Sequence, residues 1–160
     1  MRLVILVKIA YFCMLFAASA AFKSKITKMI RLNLPTFEIK LSGTKEHPRI
    51  FDILRRRYVA LTPEEWVRQH FVMFLINYRN YPSALIANET SISLNGMSRR
   101  CDSVVFRSSL EPLVIVEYKA PHVTITKNTF MQAHCYNQVL RVPYIIITNG
   151  LTHYCYHIDY

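Results

Sequence analysis

The sequence predicts an α/β (α+β) fold, a mixed central sheet flanked by helices. Three observations lead there. Short apolar runs bounded by turn residues, such as Val104-Val105-Phe106, Leu113-Val114-Ile115-Val116 and Tyr144-Ile145-Ile146-Ile147, read as buried strands. Two longer segments, after Thr62 and after Thr126, carry helix-start signals. The resulting order is helix, three antiparallel strands, helix, strand, strand. At 160 residues and 52% hydrophobic composition, the chain can fill one core.

Residues 1–28 form a separate apolar segment. It has a basic start, an apolar stretch from Ile9 to Ala18, and Ala18-Ser19-Ala20 as a small-x-small cleavage site. Read literally this is a secretory signal or a short membrane anchor, although Lys8 interrupts it and it is short for a spanning helix. The other reading starts translation at Met29. On that reading residues 29–160 are the folded domain, residues 1 to about 25 protrude as a helix with few contacts to the sheet, and the protein is cytoplasmic. Export or membrane anchoring through residues 1–20 is the alternative, and membrane contact is expected only if that segment is retained.

Leu34 to Leu41 alternates apolar and polar residues as a strand does. Ser42 to Pro48 reads as a loop, after which Arg49-Ile50-Phe51 pairs back. Arg55-Arg56-Arg57 reads as a solvated basic face or a phosphate contact. Thr62-Pro63-Glu64-Glu65 combines a threonine cap, a first-turn proline and a glutamate three residues after the cap. The helix it starts runs to about Tyr78, with Trp66, Phe71, Phe74, Leu75 and Tyr78 to cover the sheet. Thr90 to Leu94 is a strand, Asn95-Gly96 a turn, and Asp102 to Phe106 the next strand. Leu113 to Tyr118 follows and ends at Pro121. Thr126 to about Leu140 is the second helix, capped by Thr126 or Asn128. Tyr144 to Thr148 is a buried strand, Asn149-Gly150 a hairpin turn, and Leu151 to Ile158 the last strand.

The chemistry sits at Asp102 and at Glu117-Tyr118-Lys119. Side chains on a strand alternate, so Glu117 and Lys119 share a face and Tyr118 points away. Pairing the two strands brings Asp102 and Glu117 to one end of the sheet with a lysine beside them. Two hard oxygen ligands for a divalent cation and one ammonium for phosphate or water suit phosphodiester cleavage. Each acid alone would read as a solvated strand end, and Lys119 also reads as a salt-bridge partner of Glu117. The formal net charge of +10 favours a polyanionic partner, although about half of the excess lies in the first 28 residues.

Asp-x14-Glu-x-Lys resembles the core of the PD-(D/E)xK nuclease superfamily. Phe51-Asp52, Arg56 to Gln69, Val114 to Pro121, Val142-Pro143-Tyr144 and Thr148 to Leu151 resemble the N-terminal domain of type I restriction enzyme R subunits, over roughly Met29 to Tyr160. The resemblance implies a restriction-endonuclease-like core and a metal-dependent DNA nuclease with Mg2+ (or Mn2+) as cofactor. Metal ligands would be Asp102, Glu117, the Tyr118 backbone carbonyl and a first-helix acid. That acid is Glu65, unless Glu65 only completes the helix cap, with Glu64 as second choice. Gln132 and Tyr136, four apart on one helix face, resemble a QxxxY motif that approaches the active-site lysine and the DNA backbone. Catalytic residues are then Asp102, Glu117, Lys119, Gln132 and Tyr136, and DNA contacts Arg99, Arg100 and Lys119.

Gly43, Gly96 and Gly150 are the only glycines, so these 160 residues hold no phosphate loop and no nucleotide cofactor is expected. The implied protein is a solitary nuclease domain without an ATP-driven motor, acting on DNA and with other restriction or DNA-processing subunits as further partners. The alternative is a non-catalytic DNA-binding or assembly module of such a system. Cys13, Cys101, Cys135 and Cys155 form no CxxC pair and read as buried free thiols. The six histidines show no metal-ligand spacing and read as structural. Asn88-Glu89-Thr90 matches a glycosylation sequon, a frequent chance occurrence.

Overall fold

Thr62 starts the longest helix by the chemistry its sequence carries. The computed structural model describes residues 3–5, 31–94 and 97–160. In it, helix α1 spans Pro63–Arg79, and the Thr62 hydroxyl accepts the Glu65 N–H at 3.0 Å. Trp66, Val67, Phe71 and Leu75 come round at the helical period and are buried. Tyr78 does not join them; at 52% exposure it lies beyond the core. The helix ends at Asn80, whose left-handed backbone (φ 55°) turns its N–H to the Leu75 carbonyl.

Strands β5 (Ile86–Leu94), β6 (Met97–Phe106) and β7 (Pro112–Tyr118) then run antiparallel. Helix α2 (Lys127–Leu140) carries the chain across, so that β8 (Tyr144–Thr148) lies parallel to β7. Strand β9 (His153–His157) returns antiparallel. The expected strand and helix order is what the fold has, with β5 and β6 each longer than their apolar runs. Both faces of the parallel pair are covered, which is why these strands read as continuous apolar runs. Val114, Val116, Tyr118 and Ile146 pack with Trp66, Val67 and Phe71 of α1. Ile115, Ile145 and Ile147 pack with Ala133 and Phe130 of α2. Full burial of each aliphatic side chain contributes roughly 1.5–3 kcal/mol.

The amino-terminal expectations need two corrections. Leu3–Ile5, named β1, lies antiparallel against Tyr154–Tyr156 of β9, so the six-stranded sheet has the order β1-β9-β8-β7-β6-β5. These three residues are therefore not part of a detached helix, and β9 has a neighbour on each side. Residues 6–28, with the expected leader features and Cys13, lie outside the described residues, as does the Asn95-Gly96 turn. Leu34 to Leu41 is not one strand. Asn33 docks on the turn after β8, its N–H to the Gly150 carbonyl at 2.7 Å and its amide to the Leu151 carbonyl at 2.6 Å. Leu32 and Leu34 are buried there, and Pro35 has no N–H to offer a ladder.

Pairing begins only at β2 (Leu41–Gly43), which joins β3 (Pro48–Asp52) and β4 (Arg57–Ala60) in a second, three-stranded antiparallel sheet. Its inner row is Leu41, Ile50 and Val59, directly opposite one another and packed on the α1 cluster.

Candidate active site

Strands β6 and β7 pair as far as Ser103 and Val116, and there the ladder ends. Beyond it, β6 is paired only with β5, while Glu117 and Tyr118 continue along β8. A side chain replaces the missing strand: Asp102 Oδ2 accepts the Tyr118 N–H at 2.9 Å. Its Oδ1 receives Arg68 Nη2 from α1 at 3.0 Å. On β5, between the residues paired with Ser103 and Cys101, stands Glu89, whose φ of 54° is a left-handed conformation costly for a residue with a Cβ.

Glu117 projects to the α2 side and is 2% exposed. Its Oε1 receives Lys119 Nζ at 2.8 Å and Gln132 Nε2 at 2.9 Å. The Gln132 carbonyl also meets Lys119 Nζ at 3.4 Å, and the Gln132 amide meets the Tyr136 hydroxyl at 3.3 Å. The strand period of two and the helix spacing of four thus gather Glu117, Lys119, Gln132 and Tyr136 into one cluster. Asp102, at the fork between the strands, acts on that cluster through its charge.

Burial, and then the charge of Asp102, push the Glu117 carboxyl up to about 7. Burial works against the Lys119 charge, but its bond to Glu117 together with the charges of Glu117, Asp102 and Glu64 holds its pKa above the ordinary value. Glu64 is raised by burial and then by Asp102, and its Oε1 lies 3.7 Å from Arg68 Nη2. The α1 acid in the field of Asp102 is therefore Glu64. Glu65 does not complete the cap: its oxygens receive Arg55 Nη2 at 2.6 Å, Arg68 Nη1 at 2.7 Å and Gln69 Nε2 at 2.8 Å.

Arg55, Arg68 and Glu89 were not legible as site residues. Arg55 is no solvated cation; it binds both Asp52 and Glu65 and lies 2.9 Å from Glu89. An ion-pair chain Asp52–Arg55–Glu65–Arg68–Asp102 runs from the small sheet through α1 to the fork. The signal for Arg68 was there in outline, a charged residue inside the buried run Trp66-Val67-Arg68-Gln69-His70-Phe71. Arg68 also lies over the Tyr118 ring, 5.4 Å from its centroid. Arg99 and Arg100 are exposed on β6, and Arg100 reaches Glu89 at 3.4 Å. Among the described residues, six of the chain's ten acids (Asp52, Glu64, Glu65, Glu89, Asp102 and Glu117) meet four cations (Arg55, Arg68, Arg100 and Lys119), an excess of two acids in a chain of net charge +10. Among the described residues, no three His, Cys, Asp or Glu side chains are grouped closely enough to hold a metal ion by themselves.

The remaining sequence candidates settle into the scaffold. Cys101 is buried, with its thiol pushed up to about 12 by burial and then by Glu117. Cys135 is exposed and Cys155 half-buried, so only one of these free thiols is a core residue as expected. The sequon residue Asn88 is engaged at both ends, donating to Asp52 Oδ2 at 3.0 Å and accepting from Ser103 Oγ at 2.6 Å. No helix among the described residues is long and apolar enough to cross a membrane.

A mixed α+β domain with an acidic cluster at a strand fork is the class that fold and site define. Residues 63–160 match the family described as type I restriction enzyme R protein N terminus (HSDR_N), and the chain belongs to that family. The match begins at α1, so the second sheet, within the broader resemblance from Met29, lies before it. No protein of curated function matches the sequence.

Proposed function

We propose that this chain is a PD-(D/E)xK-type nuclease that hydrolyses DNA phosphodiesters with Mg2+ or Mn2+. One observation carries the reading: a buried Glu117, held near neutrality by burial and by Asp102, shares its oxygen with Lys119 at a strand fork. The donor set fits the cation. Mg2+ prefers hard oxygens and commonly takes one or two carboxylates, with water and phosphate completing its shell. Asp102, Glu117 and the Tyr118 carbonyl would hold it, with Glu64 as the nearby helix acid, and the local excess of acid offers the balancing charge. When bound, the cation supplies Lewis-acid polarisation of the scissile phosphate.

The chain's own residues supply the rest. Lys119, with its proton held, neutralises charge gathering on the phosphoryl oxygens and orients the attacking water. Gln132 fixes the Glu117 oxygen, and Tyr136 steadies Gln132. Arg68 holds one oxygen of Asp102, so the other carboxylate geometry is set before substrate arrives. Purified protein is expected to nick supercoiled plasmid with Mg2+ or Mn2+, and Asp102→Ala or Lys119→Ala to abolish nicking. Undiminished cleavage by Lys119→Ala overturns the assignment.

A non-catalytic DNA-binding or assembly module is the second reading, favoured by the engagement of both Asp102 oxygens within the protein. It predicts salt-dependent DNA binding that is indifferent to metal and survives Asp102→Ala.

A further inference from the structure

The outer face of the small sheet is built unlike its inner face. Directly opposite residues in an antiparallel pair share a face. The Leu41, Ile50 and Val59 row points to the core, so the rows on either side of it point outward. One outer row holds Phe51 opposite Tyr58, continued to Lys40 by the bond from the Phe51 N–H to the Lys40 carbonyl at 2.9 Å. The other holds Ser42, Arg49 and Ala60. The two rings meet edge to face at 5.2 Å, and Tyr58 is 36% exposed. Lys40 and Arg49 are exposed, and neither row contains an acid.

We propose that this face binds single-stranded DNA, with Tyr58 and Phe51 as a stacking platform and Lys40 and Arg49 as phosphate contacts. Adjacent rows on a strand face are about 7 Å apart, so each cation sits one row or one strand from a ring. Unpaired bases offer the flat faces that a duplex hides, and a backbone-tracking basic groove with aromatic rings is the usual means of holding them. Asp52 follows Phe51 on the other face and begins the ion-pair chain to Asp102, so platform and fork are parts of one bonded framework. The face lies ahead of the residues matched to the family. The inference goes beyond the proposed nuclease and does not depend on cleavage.

The test is fluorescence anisotropy with labelled oligo(dT) and a blunt duplex of equal length, using the full chain in EDTA. Tyr58→Ala is expected to weaken oligo(dT) binding roughly tenfold or more, with duplex binding changed less than about twofold, and Tyr58→Trp to retain the affinity. Lys40→Ala with Arg49→Ala should lower the salt slope on oligo(dT) by about 1.4, roughly 0.7 for each lost contact. Unchanged oligo(dT) binding by Tyr58→Ala, equal losses on both DNAs, or tighter binding of oligo(rU) than of oligo(dT) overturns the proposal. If Tyr58→Ala does not fold, Tyr58→Trp and the two surface substitutions decide. Binding is read in EDTA, where the proposed metal-dependent cleavage does not run, so loss of nuclease activity and loss of this surface are read separately.

Discussion

Glu117→Gln should stabilise the protein while abolishing the proposed cleavage. The carboxyl is 2% exposed and raised from 4.5 to about 7, chiefly by burial and secondly by Asp102. An acid whose folded pKa lies above its unfolded value favours the fold when protonated. Its contribution is present below pH 4.5 and lost as the pH rises to 7. The shift corresponds to roughly 3 kcal/mol at neutral pH and above. Glutamine keeps the shape without the charge, so the variant should match wild type near pH 4.5 and exceed it by about 3 kcal/mol at pH 8. That is about 10 °C in Tm for a domain this size. Urea unfolding of both proteins across this range, in EDTA, reads the difference at each pH. Parallel stability curves would refute the reasoning, because Glu117 would then ionise without cost.

Arg68→Met keeps the side-chain stem but takes from Asp102 and Glu65 the cation they share, leaving Glu65 with Arg55 and Gln69 and Asp102 with the Tyr118 N–H. Removing one partner of a buried ion pair should cost about 3–5 kcal/mol at pH 7 by urea unfolding. Gly150→Ala should cost about 2–4 kcal/mol, because φ is +80° and a Cβ would lie 2.7 Å from Leu32 Cδ2 and 3.1 Å from Val67 Cγ2. His70 is 4% exposed and depressed to about 4 by burial, so wild type should lose up to about 3 kcal/mol through this residue as the pH falls from 6.5 to 4. His70→Gln should remove that slope in the same titration.

The parts legible in sequence were those written in local periodicity. Thr62-Pro63 announced α1 because caps act within one turn, and the runs through Val105, Ile115 and Ile146 announced strands because both faces are buried. Glu117 with Lys119, and Gln132 with Tyr136, followed from periods of two and four. The unread parts depend on contacts between elements. Arg68 reaches Asp102 across 34 positions, and Asn33 reaches Leu151 across 118. No local pattern marks either. Leu34 to Leu41 failed for the same reason: its alternation was real, but Asn33 and Pro35 commit the start of that segment to a turn. The capping reading of Glu65 failed because a capping box and a buried salt bridge ask for the same residue at the same place.

Two of the buried titrating groups, Glu117 and His70, act against each other. Between pH 4.5 and 6.5, Glu117 makes the fold less stable as pH rises, while His70 makes it more stable. The two contributions oppose each other over that window, with His153 adding to the His70 direction and Glu64 to the Glu117 direction, so the wild-type curve should tilt less than either buried group alone would make it. Glu117→Gln should uncover the His70 slope, with stability falling on acidification, and His70→Gln should uncover the opposite one. The double variant should lose both contributions and keep only the slopes of His153 and Glu64. The groups belong to different parts of the molecule: His70 is tied to the Trp66 carbonyl at 2.8 Å inside α1, and Glu117 to α2 through Gln132. Sites without shared partners are expected to add within about 0.5 kcal/mol. A double variant departing from additivity by more than that would show that charge at the fork is felt inside α1, and Arg68, which joins Asp102 to Glu65, is the side chain positioned to transmit it.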